Sequence, residues 1–504
     1  MNFERALIAA RDRPDEESAL SDLARSALAA SREEAALPLL VKGAERSHSA
    51  LLWQWTALLE RSLDEHERSL ASFEKAAILA PTDKSIAHGH ARVALEAGLP
   101  AQLLYDQAMR LSPTDGEVLL GYAAALFADG RFEAAEFKIE HALDRSPFWI
   151  EGHMKLAQLR SRMGKRDQAT ATVERAIHRH PGEEQLWIAL FRLLIQSEQF
   201  EALDQAVARA PAKLHRSETL LCYETIAAVE RGDTARADRL FSRTSASLRR
   251  SLQIYWIRHL LRARRLAEAC QFIDGALKAD TGPDLWPYAA IAWRLAQDPR
   301  SQWIEGEADC LTSVVDMKDA LPDLAALEQA LRRLHVGKGE FLDQSVRNGS
   351  QTDGPLFSKV DPSIRALRTA IVSAVESYVQ SLPPRDPAHP LLGPARSSKI
   401  RFSGSWSVLL GGSGYHANHV HPQGWISSAL YICVPKRGPD DAANAGFLAL
   451  GEPQAELGLP LRPSKEIEPK QGRLVLFPSY MWHGTRPFAA GERLTVAFDV
   501  KAAS

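Results

Sequence analysis

Three histidines fall within six residues in the run Tyr415-His416-Ala417-Asn418-His419-Val420-His421-Pro422. Imidazole nitrogens suit Fe, Zn and Cu sites. On an extended chain, residues two apart point to one face, so His419 and His421 are expected to project together, with His416 of opposite parity. A fourth histidine, His483, lies 62 residues after His421, in FPSYMWHGTRPF. Arg493 follows ten residues later at the start of a further strand, and Thr495 shares its face. Taken singly, each has an ordinary reading: a lone histidine is most often a surface or hydrogen-bonded residue, and a lone arginine a solvated strand end. Together they fit one metal site. An iron(II) that binds an oxo-acid and oxygen needs ligands on one face and open positions opposite. It also needs a fixed cation for the co-substrate's far carboxylate, which arginine grips bidentately.

The segments that must position these residues read as strands. Residues 398–410, 425–434, 446–451, 472–478 and 492–500 are short, β-branched and aromatic, and bounded by Gly or Pro. An all-β sandwich or barrel of roughly 110 residues fits them. A helix over 361–382, with Ile364, Leu367, Ile371, Ala374, Val375 and Val379 at helical spacing, is expected to pack outside it. Residues 383–394 are Pro-rich and must be extended or turned. Residues 337–357 are polar and Gly-rich and read as a loop, and 319–335 reads as one helix.

Upstream of about 335 the character changes: Ala, Leu, Arg and Glu dominate with helical periodicity. Gly130, Ala135, Ile139, Ala142 and Pro147 recur 34 residues later as Gly164, Ala169, Val173, Ala176 and Pro181. Ala101, Ala108 and Pro113, and Phe73, Ala76 and Pro81, keep the spacing before them; Gly232, Ala237 and Phe241, then Ala269, Ile273 and Ala276, are degenerate later copies. Small Ala lets paired helices approach closely, and Pro stops the second helix of each pair. A hairpin that cannot bury its own apolar face stacks on its neighbours into a superhelix with a groove.

Composition excludes several classes. The chain has 504 residues, a soft prior of about three domain-sized units. With 61 Lys and Arg against 63 Asp and Glu, the net charge of -2 gives no global pull towards nucleic acid or an anionic membrane. Four cysteines without a C-x-x-C pair argue against a disulfide framework or a zinc ribbon. No signal peptide and no transmembrane helix are expected, so the expected location is cytoplasmic. No G-x-x-x-x-G-K-[ST] motif points to ATP.

The 34-residue pattern resembles the tetratricopeptide repeat over roughly 40–300. The segments GSWSVLL, NHVHPQGWISSALY, PKQGRLVLFPSYMWHGTRPF and ERLTVAFDV resemble the Fe(II)- and 2-oxoglutarate-dependent oxygenases with a double-stranded β-helix, and more narrowly bacterial ones that carry tetratricopeptide repeats. The expected architecture is therefore multidomain α + β: a helical solenoid over 1–310, a connecting helix and linker over 311–340, and an oxygenase domain with flanking helices over 341–504.

The resemblance implies Fe(II) and 2-oxoglutarate as cofactors. It matches His419 to the first ligand of a His-x-Asp motif, His483 to the distal ligand, Arg493 to the residue that pairs with the far carboxylate of 2-oxoglutarate, and Thr495 to its hydroxyl neighbour. Where the motif has a carboxylate, this chain has His421. Two readings follow. His421 is a third neutral ligand, which its parity with His419 favours, and dianionic 2-oxoglutarate then offsets the metal's charge. Otherwise it lies off the metal and water fills the gap, as in the related aspartyl/asparaginyl hydroxylases with two histidine ligands. His416 is the second candidate ligand, or else faces substrate. Tyr431 is either a hydrogen-bond donor to the co-substrate or a core tyrosine. Gln344, Arg347, Asn348 and Trp425 are further substrate candidates.

The implied activity is hydroxylation coupled to decarboxylation of 2-oxoglutarate, with O2 as co-substrate. The solenoid groove points to a protein or peptide side chain as substrate. The alternatives are a small-molecule hydroxylase whose repeats serve assembly, and a non-catalytic repeat adaptor with a metal-binding β-domain. No nucleic-acid or membrane partner is expected, and the oligomeric state is not set by the sequence.

Overall fold

In the computed structural model, which describes residues 2–502 apart from 215–216, 280–281, 307–309, 322, 338, 343, 397–398 and 440, nine left-handed residues mark the hairpin turns of the helical region. They are Ser31, Asp64, Gly98, Gly130, Gly164, Glu198, Gly232, Arg264 and Gln297, in steps of 33, 34, 32, 34, 34, 34, 32 and 33 residues. Each lies in the turn between the paired helices of a hairpin, as Gly130 does between Gly116–Ala128 and Phe132–Arg145. There the Gly130 N–H donates to the Phe127 carbonyl at 3.0 Å and the Arg131 N–H to the Leu126 carbonyl at 2.8 Å, which closes the end of the first helix. Glycine adopts this backbone freely, while Ser31, Asp64, Glu198, Arg264 and Gln297 each bear a cost of about 1–2 kcal/mol. The copies that looked degenerate in sequence thus keep the same turn. Ala135, Ala169, Ala237 and Ala269 are buried between the paired helices.

Among the described residues the C-terminal part contains nine strands with the connecting segment: β1 (Ser313–Asp316), β2 (Val346–Gln351), β3 (Phe402–His416), β4 (Ile426–Cys433), β5 (Leu448–Leu450), β6 (Lys465–Ile467), β7 (Arg473–Pro478), β8 (His483–Thr485) and β9 (Arg493–Val500). One antiparallel sheet has the order β1-β7-β4-β9-β3-β2, the other β6-β5-β8. Together they form the double-stranded β-helix. Strand β9 explains how one sheet serves two purposes. Its residues Leu494, Val496, Phe498 and Val500 join the core beneath helix Pro362–Ser381, so Arg493, Thr495, Ala497 and Asp499 face the other way. On that second face, Tyr431, Val475 and Phe477 pack with Leu448, Leu450 and Ile467 of the small sheet.

Several expectations need correction. The segment 337–357 is not wholly a loop, because β2 runs through it and pairs with β3; its residues 338 and 343 lie outside the described residues. The connecting segment holds β1, which pairs with β7, and the expected helix over 319–335 is shorter, Leu324–Arg333, with residue 322 not described. Strand β3 begins at Phe402 and runs on to His416; Ser398, the expected start, is not described. The structure adds β6 and β8, three residues each, to the expected strands.

The solenoid and the β-domain share one core. Ile257, Ile291 and Trp293 cluster with Trp425, Leu430, Tyr480 and Trp482. The Trp482 indole N–H donates to the Pro287 carbonyl at 3.0 Å, and the Tyr480 hydroxyl to the Ile304 carbonyl at 2.7 Å. At the other end, Arg401 pairs with Glu33 and Glu34, each at 2.8 Å. The repeats therefore contact the β-domain from their first helices to their last. Among the described residues no helix is long and apolar enough to cross a membrane.

His335, behind β3, gives the fold a pH dependence. Its Nδ1 lies 2.8 Å from Ser350 Oγ and its Nε2 3.0 Å from Ser407 Oγ. Burial, then the nearby Arg332 charge, pushes its pKa down to about 4. Folded protein keeps this ring neutral where the unfolded chain takes up a proton, so its contribution is complete above about pH 6.5 and is lost as pH falls towards 4. Between pH 7 and 5 the loss is about 2 kcal/mol. Urea titrations at both pH values should show a smaller acid loss in His335→Gln; an unchanged loss would refute the assignment.

Candidate active site

His419 and His483 are held face to face by the backbone. The His419 N–H donates to the His483 carbonyl at 2.9 Å, and the His483 N–H returns the bond at 3.0 Å. Their ring centroids are 4.2 Å apart. The His421 N–H donates to the Ser479 carbonyl at 3.0 Å, which brings its ring centroid to 4.9 Å from His419 and 5.2 Å from His483. One nitrogen from each of the three rings lies within 4.8 Å of the others.

The outer nitrogens have oxygen partners. His419 Nδ1 donates to the Ala417 carbonyl at 2.8 Å and His483 Nδ1 to the Met481 carbonyl at 3.0 Å. His421 Nδ1 lies 2.6 Å from Asp499 Oδ2. A carbonyl can only accept, so the proton of neutral His419 and of neutral His483 sits on Nδ1 and Nε2 keeps its lone pair. Burial, then neighbouring imidazoles, holds both pKa values well below the usual histidine range. Lone pairs on three gathered imidazoles fit a divalent transition metal.

His416 is closer than its parity suggested. Its ring stacks on His419 with centroids 5.8 Å apart, and burial pushes its pKa down to about 3, followed by the Arg493 charge. Ser345 Oγ lies 3.2 Å from His416 Nδ1 and 3.3 Å from His419 Nε2. Trp406 stacks on His421 at 5.5 Å, the planes 7° apart.

Arg493 is buried on the same face of β9. Its guanidinium donates to the Gly446 carbonyl and to Thr485 Oγ1, both at 2.9 Å, and lies 5.6 Å from the Tyr431 ring. Its Nε is buried without a hydrogen-bond partner, and among the described residues no carboxylate pairs with it. Burial accordingly lowers its pKa. Thr495 is buried beside it and is the register partner of Tyr431. A buried guanidinium with an unused donor fits an incoming carboxylate.

Other candidates lie elsewhere. Trp425 is a core residue, its indole N–H donating to the Leu391 carbonyl at 2.8 Å. Arg347 pairs with Glu198 of the solenoid at 2.8 Å and also donates to the Gln344 carbonyl. Asn348, left-handed at φ 53°, donates its side-chain amide to the Gly412 carbonyl at 2.6 Å. This trio thus braces β2 against its neighbours. Sequence reasoning missed Asp499, Ser345 and Thr485. For Asp499 a signal existed: it is the one acid in the apolar strand RLTVAFDV, in phase with Arg493 and Thr495.

A family model described as "Putative 2OG-Fe(II) oxygenase" matches residues 404–499, and a tetratricopeptide-repeat model matches 101–159. No curated protein matches the chain. Among solved structures, MamA 41-end from Desulfovibrio magneticus RS-1 is 17% identical, with 33% of this chain and 95% of that chain covered and a TM-score of 0.29. YrrB, titled a TPR protein with an unusual peptide-binding site, is 16% identical, with 38% and 97% covered and a TM-score of 0.29. A tetratricopeptide repeat protein from Parabacteroides merdae is 16% identical, with 45% and 90% covered and a TM-score of 0.32. The chain thus carries tetratricopeptide repeats followed by a C-terminal domain matched to the 2OG-Fe(II) oxygenases.

Proposed function

We propose that the protein is a cytoplasmic Fe(II)- and 2-oxoglutarate-dependent hydroxylase acting on a protein or peptide side chain. The observation that carries the reading is the pairing of three gathered imidazoles with a buried guanidinium that has no carboxylate partner among the described residues. His419, His421 and His483 would hold Fe(II). Arg493, with Thr495 beside it, would bind the far carboxylate of 2-oxoglutarate, and Tyr431 walls that pocket. Bound iron with 2-oxoglutarate and O2 supplies the oxidising power for hydroxylation, leaving succinate and CO2.

The chain's own residues orient and shield. Trp406 and the Asp499 contact fix the His421 ring. Phe477, edge-on to His483 at 4.8 Å, and Tyr431 keep water from the space between the sheets. A polypeptide substrate is supported by a cavity of about 1250 Å³ between the solenoid and the segment before β3, lined by none of the site histidines, where a chain would be gripped away from its reacting side chain. Its walls include Arg92, Glu117, Phe127, Lys155, Phe341 and Asp353, so both charges and aromatic rings are offered in a volume above that of most small-molecule sites. The second reading, a small-molecule hydroxylase with the repeats as scaffold, is favoured by how much of the solenoid already packs on its own β-domain.

Anaerobic protein loaded with Fe(II) and 2-oxoglutarate should show a weak visible charge-transfer band, and 2-oxoglutarate turnover should rise with a peptide fraction of a cell extract. No band and no turnover would defeat the oxygenase reading. A rise with the small-molecule fraction alone would favour the second.

A further inference from the structure

The histidines at the centre divide by what stands behind them. His419 and His483 each donate Nδ1 to the backbone carbonyl two residues earlier, at Ala417 and Met481. His421 instead meets a carboxylate, Asp499 Oδ2, at 2.6 Å. Ser427 Oγ donates to Asp499 Oδ1 at 2.6 Å and lies 2.9 Å from Ser479 Oγ. The Ser479 carbonyl in turn accepts the His421 backbone N–H. Ser427 and Asp499 are register partners across β4 and β9, so the sheet itself fixes the carboxylate. Asp499, Ser427 and Ser479 are all buried, and a buried carboxylate is costly to hold without such partners.

We propose that Asp499 is the positioning residue of the three-histidine centre: it commits the His421 proton to Nδ1, aims the Nε2 lone pair at His419 and His483, and supplies from behind the imidazole the negative charge that a His-x-Asp pair places directly on the metal. This rests on the reading of the three histidines as a metal centre. A carboxylate behind a ligating imidazole fixes its tautomer and raises its basicity, and loss of such a partner weakens metal binding about 10–100-fold. Asparagine can keep both hydrogen bonds, accepting from His421 and donating to Ser427, while removing the charge; alanine removes both.

The test uses the full chain with Co(II) as probe and two readouts. In metal-free protein, imidazole nitrogen NMR should find His421 protonated on Nδ1 in wild type and in Asp499→Asn, and shifted towards Nε2–H in Asp499→Ala. Equilibrium dialysis at fixed pH should find Co(II) binding about 10–100-fold weaker in Asp499→Ala, and Asp499→Asn should weaken it less, with an altered visible Co(II) spectrum. Wild-type tautomer and affinity in Asp499→Ala would overturn the proposal. If that variant fails to fold, wild-type affinity and spectrum in Asp499→Asn would overturn it. If His483→Ala binds Co(II) as wild type does, the metal reading itself fails, and the tautomer measurement still judges whether Asp499 orients His421.

Discussion

His483→Ala should lower 2-oxoglutarate turnover by more than about 100-fold and leave the fold intact. The bound is set by comparison: loss of a residue merely behind a metal ligand costs about 10–100-fold, so loss of a ligand should cost more. The fold should survive because the strand contacts of this residue are made by its backbone, through the reciprocal bonds with His419. Its side chain adds one hydrogen bond to the Met481 carbonyl and an edge contact with Phe477. Turnover, Fe(II) binding and melting temperature measured together separate the outcomes. Wild-type turnover in this variant would remove His483 from the centre. His421→Ala then decides between the two roles for that residue: a loss as large as that of His483→Ala makes it a ligand, and a small loss leaves water in its place.

Much of this centre was legible because strand alternation links function to spacing. Arg493 and Thr495 were placed on one face of β9 by counting alone, and the same count reaches Asp499, which faces the same pocket. Alternation failed where the strand ends. His416 closes β3, and beyond it the chain turns before His419 pairs with His483. Parity cannot be carried across that turn, so His416 stacks on His419 instead of facing away. Trp425 illustrates a different limit. An aromatic residue beside the histidine run suits a pocket or a core equally, and its packing with Ile257 and Trp482 together with the Leu391 carbonyl, 34 residues distant in sequence, assigns it to the core.

The repeats show the converse. The Gly and Ala signature fades after Pro181, yet the left-handed turn continues at Glu198, Gly232, Arg264 and Gln297. Side chains that cap or pack can vary while the hairpin geometry is kept, because burial of the helix faces outweighs about 1–2 kcal/mol of local backbone cost. What no periodicity could reveal is that these helices share a core with the β-domain. Tyr480 and Trp482 come just before the site histidine His483, and both donate their polar hydrogens to solenoid carbonyls. Truncation before residue 300 would leave these rings without their packing, so substrate recognition has to be dissected with point variants in the full chain.

Arg493→Met should separate co-substrate binding from folding in opposite directions. In the protein without 2-oxoglutarate, the guanidinium is buried, its Nε has no partner, and no described carboxylate offsets its charge. Burying a charge that is not paired opposes folding. Methionine fills similar space without that penalty, against the loss of two hydrogen bonds to Gly446 and Thr485. The melting temperature of the variant should therefore equal or exceed that of wild type. With 2-oxoglutarate the order reverses. Removing one partner of a buried charge pair costs about 2–5 kcal/mol, which corresponds to a KM for 2-oxoglutarate raised roughly 30- to several-thousand-fold. kcat at saturation should fall far less, because in the proposed binding mode the oxidised end of the co-substrate would lie at the histidines and not at the arginine. Wild type should gain thermal stability on adding 2-oxoglutarate, by mass action on the folded state, and Arg493→Met should gain little. A variant that is strongly destabilised when free of ligand, with an unchanged KM, would make Arg493 a structural residue and leave the proposed co-substrate without its anchor.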